Sequence, residues 1–370
     1  MLVQRLAKNI LALFLPIVIF FSYMPTAGAN INKKPRANIS SYSIWERIAA
    51  EAELNHLHKH PHVKHYITKY SKDIVHINSI TTHAEPYLYY IIEELEKKGM
   101  PVELALLPMV ESAYKPFAIS NADAAGIWQI QSYTGQFYDL YQDKWYDGRK
   151  DIKKATNAAL KHLQALHKRF AGDWALALAG YNAGGGRVNQ CINKNIKKGH
   201  ATDYWSLSLP KETMDFVPKF LAISHIIQHH ERYNLKLPQI SNKPYFATLN
   251  INEQIDLHAA ANLADITFEE IRRLNPAYKT NYTRPQKIDT ILLPIQKINS
   301  FRQALNNPAT SKIKRVKSIT EHEKFHTVKI GETLCIIAKK YNTTIDAIVT
   351  NNQLKSAHII FDGQRIKVSN

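Results

Sequence analysis

The chain has 370 residues, 45% of them apolar, which is enough for two or three domains with at least one true core and excludes a disordered or fibrous protein. Its formal charge of +17 suits an anionic polymer or an anionic envelope surface. Nucleic acid is not expected as a partner, because no nucleic-acid-binding motif accompanies the charge.

In chain order, residues 1–29 come first. Arg5 and Lys8 form a basic start, Ile10 to Phe21 is an apolar run broken only by Pro16, and Ala27-Gly28-Ala29 offers a small-residue cleavage site. That pattern predicts a secretory signal. The run is short for a membrane span, which needs about 20 apolar residues, so an uncleaved anchor is the weaker alternative. With no cysteine near residue 29, a lipoprotein is not expected, and the predicted destination is the periplasm or cell envelope.

Residues 30–42, polar and containing Pro35, read as a linker. From 43 to 236 the pattern is helical. Ile152, Ala155, Ala159, Leu163, Leu166 and Phe170 recur at steps of three and four behind Asp151, a candidate N-cap. A second helix is predicted from Asp173, stopped by Gly184-Gly185-Gly186. Within 245–296, "YFATLNI" and "TILLPI" read as strands flanking two short helices. Residues 297–325, with Asn306-Asn307-Pro308 and "KIKRVK", read as a basic linker. Residues 326–369 repeat the strand-helix-helix-strand order, which suggests an internal repeat with a divergent first copy. The two cysteines, Cys191 and Cys335, fall in different domains on this reading, and nothing in the sequence supports their pairing.

The stretch richest in chemistry is "MVESAYKPFAISNADAAGIWQIQ", residues 109–131. Glu111 ends an apolar run, where desolvation would raise its pKa and keep it protonated, as a general acid requires. The plain structural reading is a surface glutamate at a helix end. Against that stand Ser112, Tyr114 and Ser120 as hydrogen-bonding groups, Gly126 for close approach, and Trp128-Gln129, a flat apolar ring beside an amide, as sugars prefer. In "LALAGYNAGGGRVNQ", residues 176–190, Tyr181 and Asn182 end a helix, either for a ligand or as a glycine-terminated helix with a buried tyrosine. A phosphate loop is excluded, since no Gly-Lys-Ser/Thr follows. The run His56, His58, His60, His62 and His65 matches no zinc signature and reads as a solvated surface.

Taken in order, "ES-x-Y", "S-x-A-x-A-A-G-I-W-Q-I" and "A-G-Y-N-A-G-x-G-R-V" resemble the lytic transglycosylases, a family with a lysozyme-like fold, over about residues 43–296. Residues 326–369 resemble a LysM module. The resemblance implies a mainly α protein: a lysozyme-like helical catalytic domain followed by small βααβ modules, the first divergent. It also implies non-hydrolytic cleavage of the β-1,4 bond between N-acetylmuramic acid and N-acetylglucosamine in peptidoglycan, leaving 1,6-anhydro ends. Glu111 would be acid and then base. Ser120, Gln129, Tyr181 and Asn182, with Trp128, would bind the sugar. In the terminal module, Gly331, Glu332, Thr333, Leu334, Asn351 and Asn352 would flank a glycan groove. The partner implied is the peptidoglycan strand, with no metal or cofactor needed, and a monomer is the default expectation. Two departures from the family pattern are Asp123, where many relatives have glycine, and Gln131, where many have methionine. Asp123 raises the alternative of a hydrolase using two carboxylates, and a non-catalytic wall-binding scaffold is the other alternative.

Overall fold

A computed structural model describes residues 43–285 and 288–306, and from the last fifty residues 325–329, 331–341, 343–352, 354, 360, 361 and 363–368. The signal-like residues 1–29, the linker 30–42 and the run "KIKRVK" lie outside the described residues.

Helices fill the first part: α1 (Ile44–Glu51), α2 (Pro61–Tyr70), α3 (Ile74–His83), α4 (Glu85–Lys97), α5 (Leu107–Ser112), α6 (Ser132–Phe137), α7 (Ile152–Arg169), α8 (Trp174–Ala183), α9 (Gly185–Lys197) and α10 (Lys211–Gln228). Their starts are chemical. Ser43 and Glu46 form a reciprocal capping box on α1. Asp151 accepts from the Lys154 N–H at the start of α7, and Asp173 accepts from Leu176 at the start of α8. Such caps contribute roughly 1 kcal/mol each. Helix α8 stops at Gly184, whose positive φ of 85° suits a residue without Cβ.

Packing then assigns each helix its place. In α7 the buried residues Ile152, Ala155, Ala159, Leu163 and Leu166 form one stripe, and lysines take the other side. In α8, Ala175 through Gly180 are all buried, which makes it the central helix. It packs against α7, α9 and α10, and α10 also closes on α1, α2 and α5. Each large aliphatic side chain in this core stabilises the fold by about 1.5–3 kcal/mol relative to exposure.

Beyond Ile240 the chain changes class. Strand β1 (Phe246–Ile251) pairs antiparallel with β2 (Asp289–Pro294), from Phe246 opposite Pro294 to Ile251 opposite Asp289. Between them lie α11 (Leu257–Ala264) and α12 (Phe268–Leu274), with Leu257, Ala261, Ile271, Ile291 and Leu293 in the core of this unit. The expected linker from 297 does not begin there. Residues Ile298–Asn306 form a further helix, α13, because Ile298 and Phe301 fall on one face and bury against α11.

The unit is joined to the helical part by Phe246, Leu274 and Leu292, which bury in the helical core, and by a polar seam beside them. Tyr146 and Tyr278 form an antiparallel bridge, the Asp147 N–H donates to Ala277 O at 2.8 Å, and the Lys279 N–H donates to Trp145 O at 2.8 Å. The Tyr87 hydroxyl donates to Arg273 O at 2.9 Å.

Near the end of the chain, β3 (Phe325–Thr327) pairs antiparallel with β4 (Arg365–Lys367), with α14 (Leu334–Lys340) and α15 (Ile345–Asn351) between them. Val328, Leu334, Ile337, Ile348, Ile366 and Val368 form its small core. Cys191 and Cys335 are both free thiols.

Candidate active site

A cleft of about 970 Å³ runs between the end of α5, the segment 120–134, the end of α8 and the face of α10. Its wall includes Glu111, Ser120, Gln129, Tyr181 and Asn182. Five expected site residues from two separate stretches of sequence therefore meet in one cavity.

Glu111 reaches the cleft because α5 is short. Ala113 and Tyr114, both in the left-handed region, end it directly after Ser112, and Tyr114 turns into the core, stacked on Tyr87 with its hydroxyl donated to Ala105 O. Glu111 is left half-buried in the floor of the cleft. Among the described residues no donor hydrogen-bonds its carboxyl. Burial, seconded by the negative charge of Glu212, pushes its pKa up to about 8. The group is a carboxylic acid at neutral pH, able to give a proton away.

The segment 118–130 is a compact turn. Ala125 and Ile130 exchange backbone hydrogen bonds of 3.0 and 3.1 Å, and the Ser120 hydroxyl accepts from the Ala122 and Ala124 N–H groups. Gln129 sits at φ 47°, where a non-glycine residue is strained, and its side-chain amide donates to Gly126 O at 2.9 Å. Gly126 itself, at φ 77°, is required: a Cβ there would lie 2.5 Å from Arg149 O.

From α8, the Tyr181 hydroxyl donates to Trp128 O at 2.8 Å, and Asn182 Oδ1 accepts from the Thr213 hydroxyl at 2.8 Å. Burial and the nearby Glu111 raise the pKa of Tyr181, so the phenol keeps its proton.

Trp128 is a correction. Its ring is fully buried and donates Nε1–H to Thr156 Oγ1 at 2.9 Å, so it offers no sugar platform and serves the cleft only through its carbonyl to Tyr181. Tyr114, read as a hydrogen-bonding candidate, is likewise core. The aromatic residue that does line the cleft and stand open is Tyr133, 80% exposed on α6.

Asp123 does not line the cleft. Its carboxylate accepts from Ser132 Oγ at 2.6 Å and pairs with Arg149 at 3.1 Å, contacts that hold it below the usual carboxylate range. It caps no helix either. Gln131 lines the cleft and is exposed. Sequence reasoning missed Glu212, in the first turn of α10 and on the cleft wall; it lies far from Glu111 in sequence, and only folding shows their proximity.

In the terminal unit the expected residues divide. Gly331, at φ 84°, and Thr333 are exposed, and Thr333 caps α14. Glu332 accepts from the Lys329 N–H and contacts His326 Nε2, and Asn351 is exposed at the end of α15. Leu334 is buried in the core and cannot face a ligand. The Asn352 amide is consumed by structure: Oδ1 accepts from the Lys367 N–H, and Nδ2 donates to Ile348 O and Lys367 O.

The histidine run is not wholly solvated either. His58 is buried, 3.3 Å from His225 Nδ1, while His56, His62 and His65 are exposed. Among the described residues no cluster of three or more His, Cys, Asp or Glu could hold a metal, and no helix is long and apolar enough to cross a membrane.

Residues 89–203 match the Transglycosylase SLT domain, 245–310 the "Lytic transglycosylase MltD, LysM-like domain", and 326–369 the LysM domain. The chain is 34% identical over 322 residues to membrane-bound lytic murein transglycosylase D of Escherichia coli K12, covering 85% of this chain and 70% of the relative. The protein of that name from Escherichia coli O6:H1 matches with the same figures. The 70 kDa soluble lytic transglycosylase of Escherichia coli overlaps 41% of this chain and 25% of its own, at 21% identity and a TM-score of 0.33.

Proposed function

Because the chain belongs to the membrane-bound lytic murein transglycosylase D family and is a lytic transglycosylase acting on peptidoglycan, we propose that Glu111 is its one acid and base. The observation that carries this reading is a half-buried carboxyl in the cleft that no donor among the described residues hydrogen-bonds, and whose pKa burial pushes up to about 8. Glu111 protonates the glycosidic oxygen between N-acetylmuramic acid and N-acetylglucosamine. As a carboxylate it then takes the proton of the muramic acid 6-hydroxyl, which closes onto C1 to give the 1,6-anhydro ring. No metal or cofactor enters these steps.

Ser120, Gln129, Tyr181 and Asn182 bind the muramic acid and steady its acetamido group. Burial first, and then the negative charge of Glu212, keeps Glu111 protonated until substrate arrives. The helical part spanning 43–236 is the catalytic domain on this reading. The 326–369 module binds the glycan through the exposed turn at Gly331 and Thr333 and through Asn351, not through Leu334 or Asn352. The protein acts as a monomer on the periplasmic side of the envelope, where its positive charge favours anionic surfaces.

The test is mass spectrometry of digested sacculi. The wild-type chain should release 1,6-anhydro-muropeptides and Glu111→Gln none. Reducing ends in place of anhydro ends would assign water as the nucleophile, and full activity in Glu111→Gln would remove Glu111 from the mechanism.

A further inference from the structure

The residue that joins the seam to the cleft is Arg149. Its side chain is 3% exposed, and its guanidinium is shared between two parts of the chain. On one side Nε and Nη2 donate to the two oxygens of the buried Asp147 at 3.0 and 2.9 Å, a bidentate fork. On the other, Nη1 donates to the Asp123 carbonyl, to Asp123 Oδ2 at 3.1 Å and to Ser132 Oγ at 3.0 Å. The backbone of Arg149 and Lys150 also lies against Gly126, where no side chain would fit.

Asp147 is held by the second unit, since its N–H donates to Ala277 O. The same loop is gripped at Tyr146, bridged to Tyr278 and covered by the Arg284 guanidinium 4.4 Å from its ring centroid. Asp123 lies at the tip of the turn whose Ser120, Ala122, Ala124 and Gln129 form one wall of the cleft. A continuous polar path therefore runs from the 245–306 unit through Asp147 and Arg149 to the sugar-facing turn.

We propose that Arg149 is a positioning residue for glycan cleavage, through which the divergent 245–306 unit sets the wall carrying Ser120 and Gln129. This rests on the reading of those two residues as sugar-binding. The grip is on the Asp123 backbone; the Asp123 carboxylate, 62% exposed, adds little. Lysine cannot replace Arg149, because one ammonium cannot fork onto Asp147 and still reach the turn.

The experiment is steady-state kinetics of the full chain on soluble uncrosslinked glycan strands, with product analysis. For Arg149→Lys the KM should rise about tenfold with kcat within about threefold and the anhydro product unchanged, because the lost contacts hold ground state and transition state alike. Asp123→Gly should leave both constants near wild type, as glycine accepts the left-handed backbone and keeps the carbonyl. A merely structural role predicts the opposite split: fewer active molecules, so lower kcat at unchanged KM, and that result would overturn the proposal. An unchanged KM in a folded Arg149→Lys would do so too. Should Arg149→Lys not fold, Asp147→Asn takes its place with the same expected rise in KM and the same overturning results. Absence of anhydro product from the wild-type chain would instead count against the reading of Glu111.

Discussion

At Glu111 the proton is retained by burial and by the charge of Glu212 rather than by a hydrogen bond. Two consequences follow with definite signs. On the proposed mechanism the free enzyme starts with Glu111 protonated, so kcat/KM should fall as pH rises through about 8, which a pH-rate profile on soluble glycan reads directly. For stability, the folded pKa lies above the unfolded one, so the folded state holds the extra proton between pH 4.5 and about 8 and loses stability across that window as pH rises. Glu111→Gln should therefore melt above wild type at pH 9, by on the order of 2 kcal/mol, and the gap should close toward pH 4. This position was legible in the sequence because a lone acid at the end of an apolar run has few other places to go. Trp128 was not. Its composition and neighbours are those of a sugar platform, but whether a ring faces out depends on a partner such as Thr156, which the local sequence does not reveal.

Helices α7 and α8 were readable almost to the residue, since an aspartate cap, an apolar stripe and a glycine stop are local signals that act without tertiary help. Helix α13 was missed because its neighbourhood is polar and basic, and its two core residues, Ile298 and Phe301, gain meaning only against α11. The 3₁₀ segment Leu54–Lys59 shows the same limit, because one of its several histidines is buried. His58 packs edge-on against His225, which also meets His229 and the Tyr233 hydroxyl, with Arg232 and His56 adding positive charge nearby. Desolvation first, and then these like charges, lower both His58 and His225 to about 4. Their stabilising neutral form is fully present above pH 6.5 and is lost as pH falls from there through about 4. Denaturant titrations should show wild type losing on the order of 2 kcal/mol for each histidine of the pair over that window. His58→Gln should flatten the slope; an unchanged slope would show that the pair does not govern acid stability.

On the scale of the whole molecule, two strand-helix-helix-strand units follow the helical part, and the likeness in their order was visible in the sequence. What was not visible is that the first is bound to the loop 143–147 by backbone hydrogen bonds, because such bonds leave no mark on side-chain identity. The two units should then respond differently to removal. Deleting 326–369 should leave turnover of soluble strands within about twofold while weakening sedimentation with insoluble peptidoglycan about tenfold or more, as expected when one of two linked contacts is lost. Equal losses in both assays would argue that the terminal module belongs to the catalytic fold.

The half-buried Glu111 carboxyl in the cleft also bears on the ledger of hydrogen ions. On the proposed mechanism it gives one to the departing oxygen and recovers one from the sugar's own hydroxyl, so each cycle would end with the enzyme as it began. A cleavage run this way neither acidifies nor alkalinises its surroundings and draws on no pool of solvent, so it can proceed within a crowded polymer mesh where buffering and water access are poor.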